Sequence, residues 1–333
     1  MGTLEQNKGY VRSFFEEVWN KANFDYMDQI YTDDFRLNAL WQNTSLGGSG
    51  TAAKQEARAT ISRWLDGFPD MHVTVDEQIA EGDFVASRHV AVGTQSKDFM
   101  GIPNTGKRGA VSGITINRIE GDRLAEVWTC WDAAGMMMQL GVIPSPPREG
   151  PPEDTDAAWA AQAALPDGSA SSEATKAVVR RFYRELWSAG MLEVADELFA
   201  DNFIGHAPGN TLTRGPDGVK KLVSDWRAGV PDMSLEIHAQ VAEGSRCATR
   251  FTGTGTHKGP WFGIPATGKE VSLSGIAITR VIDGKVVSDW GEFDIMGLLQ
   301  QLGVVKRPGG PPPGGPPAGG PPPGGAPVGA PAS

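Results

Sequence analysis

Residues 11–35, VRSFFEEVWNKANFDYMDQIYTDDF, return without a gap at 179–203 as VRRFYRELWSAGMLEVADELFADNF, an offset of 168. From FPDM (68–71) and VPDM (230–233) the offset becomes 162, and it holds through QLGV at 139–142 and 301–304. The first copy therefore carries six extra residues between 36 and 67, around LWQNTSLGGSG. A repeat of this length is a domain rather than a solenoid unit, so the chain is read as a tandem duplication. Its 333 residues suffice for two domains, each with its own core.

The boundaries follow from composition. The first domain is expected at 1–145, a Pro/Gly/Ala-rich linker at 146–172, the second domain at 173–306, and a disordered Pro/Gly tail at 307–333. Two cysteines are too few for a secreted disulfide framework. The opening MGTLEQNKGYVRSFF has no basic segment followed by an apolar run, and no window has the roughly 18 apolar residues of a membrane span. These features predict a soluble, cytoplasmic protein. A net charge of -10 without basic clusters argues against nucleic-acid or anionic-membrane partners and favours a small apolar ligand.

Within each copy the hydrophobic period shifts from helical to alternating. Val11, Phe14, Phe15, Val18 and Trp19 recur at helical spacing, as do Val178, Val179, Phe182, Leu186 and Trp187. Further helices follow around Met27 and Ile61, or Val194 and Val223. The segments MHVTVDEQIA, FVASRHVAVGT, AVSGITINRI and RLAEVWTCW then alternate as strands. Helices followed by an antiparallel meander predict an α+β class, with two tandem cone-shaped α+β barrels, each a curved antiparallel sheet with helices over one face.

FMGIPNTGK (99–107) with FGIPATGK (262–269), then SGI and W-x-x-x-D-x-x-G-x-x-x-Q-L-G-V at 128–142 and 290–304, resemble the SnoaL-like polyketide cyclases of the nuclear-transport-factor-2-like superfamily. The resemblance covers both copies nearly end to end. It implies intramolecular ring closure without metal or cofactor, with an aspartate near the end of the last strand as base and a histidine two residues before it. In this register the aspartate position holds Thr129 and Gly291, and the histidine position Val127 and Asp289. The implied polar positions on the preceding strand fall on Gly113, Thr115, Gly275 and Ala277. Pairing of such domains through their outer sheet faces implies an internal pseudo-dimer of the two copies, with a higher oligomer still open.

Because the implied base is absent from both copies, the acid/base assignment passes to other residues. Asp289 is expected on the cavity side of its strand, where burial would raise its pKa toward neutrality. With His257 and His206 it forms the catalytic candidate set of the second copy; Arg250, Trp226, Trp261 and Thr279 are the substrate-binding candidates there. The first copy offers Asn38, Arg88, Gln95, Thr115, Asn117 and Thr129 as hydrogen-bonding groups, and Trp41 in its extra loop as a core cap or lid. Asp132 and Asp294 each precede a helical run and are expected to cap it. The leading expectation is a cofactor-independent cyclase acting on a polyketide-like molecule. The alternatives are a non-catalytic small-molecule carrier and, more weakly, an epoxide-opening hydrolase.

Overall fold

Thr3 opens the first helix with a reciprocal capping box to Gln6, and apolar residues then hold Leu4–Phe14 (α1) and its π-helical continuation Phe15–Asn20 against the sheet. The computed structural model describes residues 2–40, 46–143, 164–209, 211–261 and 263–305. The first copy continues with α2 (Phe24–Ile30), β1 (Tyr31–Ala39), β2 (Leu46–Ser49), α3 (Gly50–Gly67), β3 (His72–Glu81), β4 (Phe84–Thr94), β5 (Arg108–Glu120), β6 (Arg123–Trp131) and α4 (Ala133–Leu140). The second repeats the order: α5 (Ser172–Arg181) with its continuation Phe182–Ser188, α6 (Val194–Leu198), β7 (Phe199–Ala207), β8 (Thr211–Arg214), α7 (Gly215–Gly229), β9 (Ser234–Glu243), β10 (Arg246–Thr256), β11 (Glu270–Ile282), β12 (Lys285–Phe293) and α8 (Ile295–Leu302).

Each copy builds a six-stranded sheet, ordered β2-β1-β6-β5-β4-β3 and β8-β7-β12-β11-β10-β9. Strands β3 to β6 form the expected meander. The sheet is nevertheless mixed, because β1 lies parallel to β6, with Leu37 beside Val127 and Ala39 beside Thr129. This pairing comes from the order of the chain: the helix α3 and strands β3 to β5 intervene before β6 returns alongside β1. The sheets curve around their helices without closing into barrels, which corrects the barrel expectation while leaving the two α+β units in place.

The inner faces and helices carry separate cores, one containing Val11, Phe15, Ile61 and Leu124, the other Val179, Leu186, Val223 and Val286. The outer faces meet. Ile79, Ile114, Ile116 and Cys130 share a buried cluster with Val241, Ala248, Ile276 and Ile278. Around it the contacts are reciprocal. Glu81 accepts a hydrogen bond from the Ala242 amide at 2.9 Å, and Glu243 accepts one from the Ala80 amide at 2.8 Å. Lys176 pairs with Glu81 and Lys8 with Glu243, at 2.6 and 2.8 Å. The expected linker is described only from residue 164, and the tail from 307 lies outside the described residues. No described helix is long and apolar enough to cross a membrane.

Candidate functional site

Strand alternation sends Thr115 and Asn117 of β5, Val127, Thr129 and Trp131 of β6, and Leu37 and Ala39 of β1 to the inside of the first sheet. Opposite them stand Phe15 and Trp19 of the first helix and Thr60, Ile61 and Trp64 of α3. Together they enclose a cavity of about 380 Å³. The helix α4 contributes Ala133, Met136 and Met137 to its wall. Met296 and Gln300 of α8, with Val305 beyond it, also line this cavity, so the second copy supplies part of the first copy's site. Trp131 lies 5.5 Å from Trp19 and 5.7 Å from Trp64, ring centre to ring centre.

The polar groups in this wall are neutral. Trp131 Nε1 donates to Thr129 Oγ1 at 2.8 Å, and Asn117 Nδ2 donates to Thr115 Oγ1 at 3.3 Å. Each hydroxyl oxygen is thus already an acceptor, which leaves its proton available to a guest carbonyl. No carboxylate, imidazole or cationic side chain lines the cavity among the described residues. Burial pushes the Tyr31 phenol well up, so it remains an O–H donor at neutral pH.

Thr115, Asn117 and Thr129 therefore meet in one cavity, while the other expected first-copy residues lie elsewhere. Asn38 donates to Glu126 Oε1 at 3.0 Å, on the opposite side of β1 from the inward Leu37 and Ala39. Buried Gln95 accepts from the Thr105 amide and hydroxyl, at 3.2 and 2.6 Å, and donates to the Pro103 carbonyl at 3.2 Å, which ties down the loop IPNTGK. Arg88 is turned to the outer face, pairing with Asp76 at 3.0 Å and lying 4.4 Å over the Trp290 ring. Trp41 lies outside the described residues.

In the second copy Asp289 does face inward, half-buried, and accepts a hydrogen bond from Thr279 Oγ1 at 2.6 Å. Burial pushes its carboxyl up to about 6, against the opposing effect of the Thr279 bond. The histidines do not join it. His206 stacks on Trp290 at 3.7 Å, and Trp290 follows Asp289 directly, so His206 lies on the other face of the strand. His257 Nδ1 accepts from the Thr267 amide at 3.3 Å and lies 3.0 Å from the Thr267 hydroxyl, the same loop-holding position as Gln95. Arg250 mirrors Arg88, 5.1 Å over Trp128. Trp226 and Trp261 pack edge to face at 4.8 Å within an apolar cluster. The acid/base set read from the sequence is thus dispersed, since strand parity separates His206 and loop anchoring occupies His257. At Gly291, where the resemblance implied a base, a side chain would collide with Phe293, whose Cζ lies 2.4 Å from an added Cβ.

Asp132 and Asp294 are helix caps, accepting from the amides of Gly135 and Gly297 at 2.7 and 2.8 Å. Sequence reasoning missed Trp131, which shares the parity of Thr129 and could have been found from it. It also missed Met296 and Gln300, whose contact with the other copy leaves no local signal. A further buried group, His89, sits between Phe15 and Trp131 at 4.8 and 4.5 Å, one ring behind the cavity wall. Among the described residues no cluster of three or more His, Cys, Asp or Glu could hold a metal ion.

A family model described as SnoaL-like polyketide cyclase matches residues 10–140 and 177–302. Among solved structures, the proposed SnoaL-like polyketide cyclase of Jannaschia sp. CCS1 is 21% identical over 41% of this chain and 97% of its own, with a TM-score of 0.38. AclR, a proposed hydroxylase of Streptomyces galilaeus, is 29% identical over 41% of this chain and 85% of its own, at 0.38. IdmH, a proposed polyketide cyclase of Streptomyces antibioticus, is 29% identical over 39% and 99%, at 0.36. No curated protein matches the chain.

Proposed function

Since the chain belongs to the SnoaL-like polyketide cyclase family, we propose that it is a cofactor-independent ring-forming enzyme whose substrate, an uncharged polyketide-like molecule, occupies the first copy's cavity. The observation that carries this reading is the wall itself: about 380 Å³ enclosed by aromatic and aliphatic side chains, with the Thr115 and Thr129 hydroxyls adjacent on paired strands. Such a pocket excludes water and folds a flexible chain so that its reacting ends meet, which lowers the entropic part of the barrier. The two hydroxyl protons can polarise a carbonyl as charge develops on its oxygen. With no general base in the wall, the substrate reacts as the enol of a β-dicarbonyl, whose O–H proton passes to the attacked carbonyl oxygen as the carbon–carbon bond forms, so orientation and polarisation supply the catalysis. In the same reading the copies act as an internal pseudo-dimer joined through their outer faces, with domains at 1–145 and 173–306.

A second reading places proton transfer in the second copy, favoured by one observation: Asp289 is half-buried with its carboxyl held near 6, suited to removing a proton at neutral pH. Two variants separate the readings. Ala57→Phe, which fills the first cavity, is expected to abolish turnover of a poly-β-ketone substrate followed by mass spectrometry, while Asp289→Asn leaves it within about twofold. Thr129→Val is expected to lower kcat by roughly ten- to a hundredfold with KM little changed, as for loss of one donor to a developing oxyanion. The opposite pattern moves the chemistry to Asp289. Stoichiometric binding without conversion in every protein, wild type included, would make it a carrier.

A further inference from the structure

The cavity of the first copy is closed by a residue whose chemistry does not suit its surroundings. Gln300, on α8 of the second copy, lines the otherwise largely apolar wall, and its Oε1 is shut off from solvent with no hydrogen-bond partner. An unpaired buried amide oxygen costs about 1–3 kcal/mol, so an apolar side chain would serve the wall better if closure were its only task. The other copy does have such a residue. Met138, the counterpart of Gln300 at the 162-residue offset, sits on α4 with its sulfur 3.5 Å from where a Cβ on Gly209 would lie, against the loop that follows β7. Each terminal helix thus leans on the opposite copy, one with a thioether and the other with an amide. Met296, one turn before Gln300, joins the apolar core of the first copy, which fixes α8 at the cavity mouth.

We propose that Gln300 is a specificity-determining residue of the first copy's site, accepting a hydrogen bond from a hydroxyl group of the guest, so that the second copy selects what the first copy binds. The guest class this defines is an apolar molecule with a carbonyl at the end facing Thr115 and Thr129 and a hydroxyl at the end facing α8. The orphaned Oε1 is completed only when that hydroxyl arrives. A guest lacking it leaves the oxygen unpaired, which is the strongest form of discrimination available to a neutral pocket.

The inference rests on the cavity being the substrate site, and the experiment keeps the two apart. Quenching of the cavity tryptophans Trp19, Trp64 and Trp131 reports binding of 1-naphthol and of 1-methylnaphthalene, probes of similar shape that differ in one hydroxyl. In Gln300→Met, which copies Met138, the naphthol-to-methylnaphthalene affinity ratio is expected to fall roughly three- to tenfold relative to wild type, the effect of one hydrogen bond. The ratio cancels any general loss of folding or of binding, which lowers both affinities together. An unchanged ratio overturns the role of Gln300 while leaving the cavity as a binding site. Failure of the wild-type protein to bind either probe overturns both.

Discussion

His89 and Phe251 occupy the same place in the two copies, and the comparison isolates what an imidazole does there. Phe251 packs edge to face on Tyr183 at 5.0 Å and on Phe293 at 5.8 Å. His89 makes the matching contacts to Phe15 and Trp131, yet its buried ring nitrogens reach no partner in good hydrogen-bond geometry, and burial pushes its pKa down to about 3 against a weak opposing approach to the Ser87 backbone. Replacing a buried, poorly paired polar ring by phenyl removes a desolvation penalty, so His89→Phe is expected to stabilise the protein by about 1–2 kcal/mol in urea titrations at pH 7. No gain would mean that the imidazole is engaged. The sign with pH follows from its depressed folded-state pKa: the wild type loses stability as pH falls from about 6.5 toward 3, and the variant is spared that loss. Two carboxyls act in the opposite sense. Asp289 is raised to about 6 by burial, and Glu292 to about 8 by burial and the neighbouring Asp132 charge. Their folded states hold the proton more tightly than the unfolded chain, so stability falls as pH rises from about 4 to 6 for Asp289 and from about 4.5 to 8 for Glu292. Asp289→Asn should therefore gain about 2 kcal/mol at pH 7.5 after allowance for its partial exposure, and Glu292→Gln a comparable amount or more. Thermal melts at pH 4 and pH 7.5 check both, and equal gains at the two pH values would refute the assignment.

At the scale of elements, the polar residues that the two copies share turn out to hold the backbone. Asp70 and Asp232 accept from the amides of Thr94 and Thr256 at 2.6 and 2.7 Å. Lys107 and Lys269 donate to carbonyls at the ends of α4 and α8, each at 3.0 Å. Gln139 and Gln301 bond both ways to the backbone of Ala110 and Ser272. Lys107, Lys269, Gln139 and Gln301 belong to the motifs by which the sequence resembles its family, and the work of all six residues is to cap helices and anchor strands. That is why the fold was legible in the sequence. The meander, the helix order and the caps at Asp132 and Asp294 could be read from local spacing. The site was legible only in part: alternation placed Asp289 and the register of the resemblance placed Thr115 and Thr129, with Asn117 beside them, all on strands whose inner face is set by the core. It failed for Arg88 and Arg250, where either face of the strand is buried, so period alone could not choose between cavity and interface. It failed too for His257, which replaces Gln95 in a loop where an imidazole and an amide can make the same bonds.

Across the whole molecule the two sheets join through an apolar seam that neither copy could leave exposed, and the seam also positions α8 over the first cavity. Ile116 and Ile278 lie within it, and Arg88 and Arg250 cover the tryptophan of the opposite copy on either side. Folding of the two halves should therefore be coupled, although each has its own core. The cations nearest Ile278 at the interface, Lys8, Arg88, Arg246 and Arg280, are each already paired with a carboxylate, so burying a further carboxylate there costs several kcal/mol. Water entering the seam is the cheaper outcome, because it leaves both inner cores intact. Ile278→Glu is accordingly expected to replace one calorimetric transition by two, the lower displaced by roughly 10 °C, as follows from about 3 kcal/mol at about 2–4 °C per kcal/mol for domains of this size. The same variant should weaken binding of 1-methylnaphthalene in the first copy, since Met296 and Gln300 no longer close its cavity once the copies part. A single transition with unaltered probe affinity would mean that the seam neither couples the halves nor holds the helix in place.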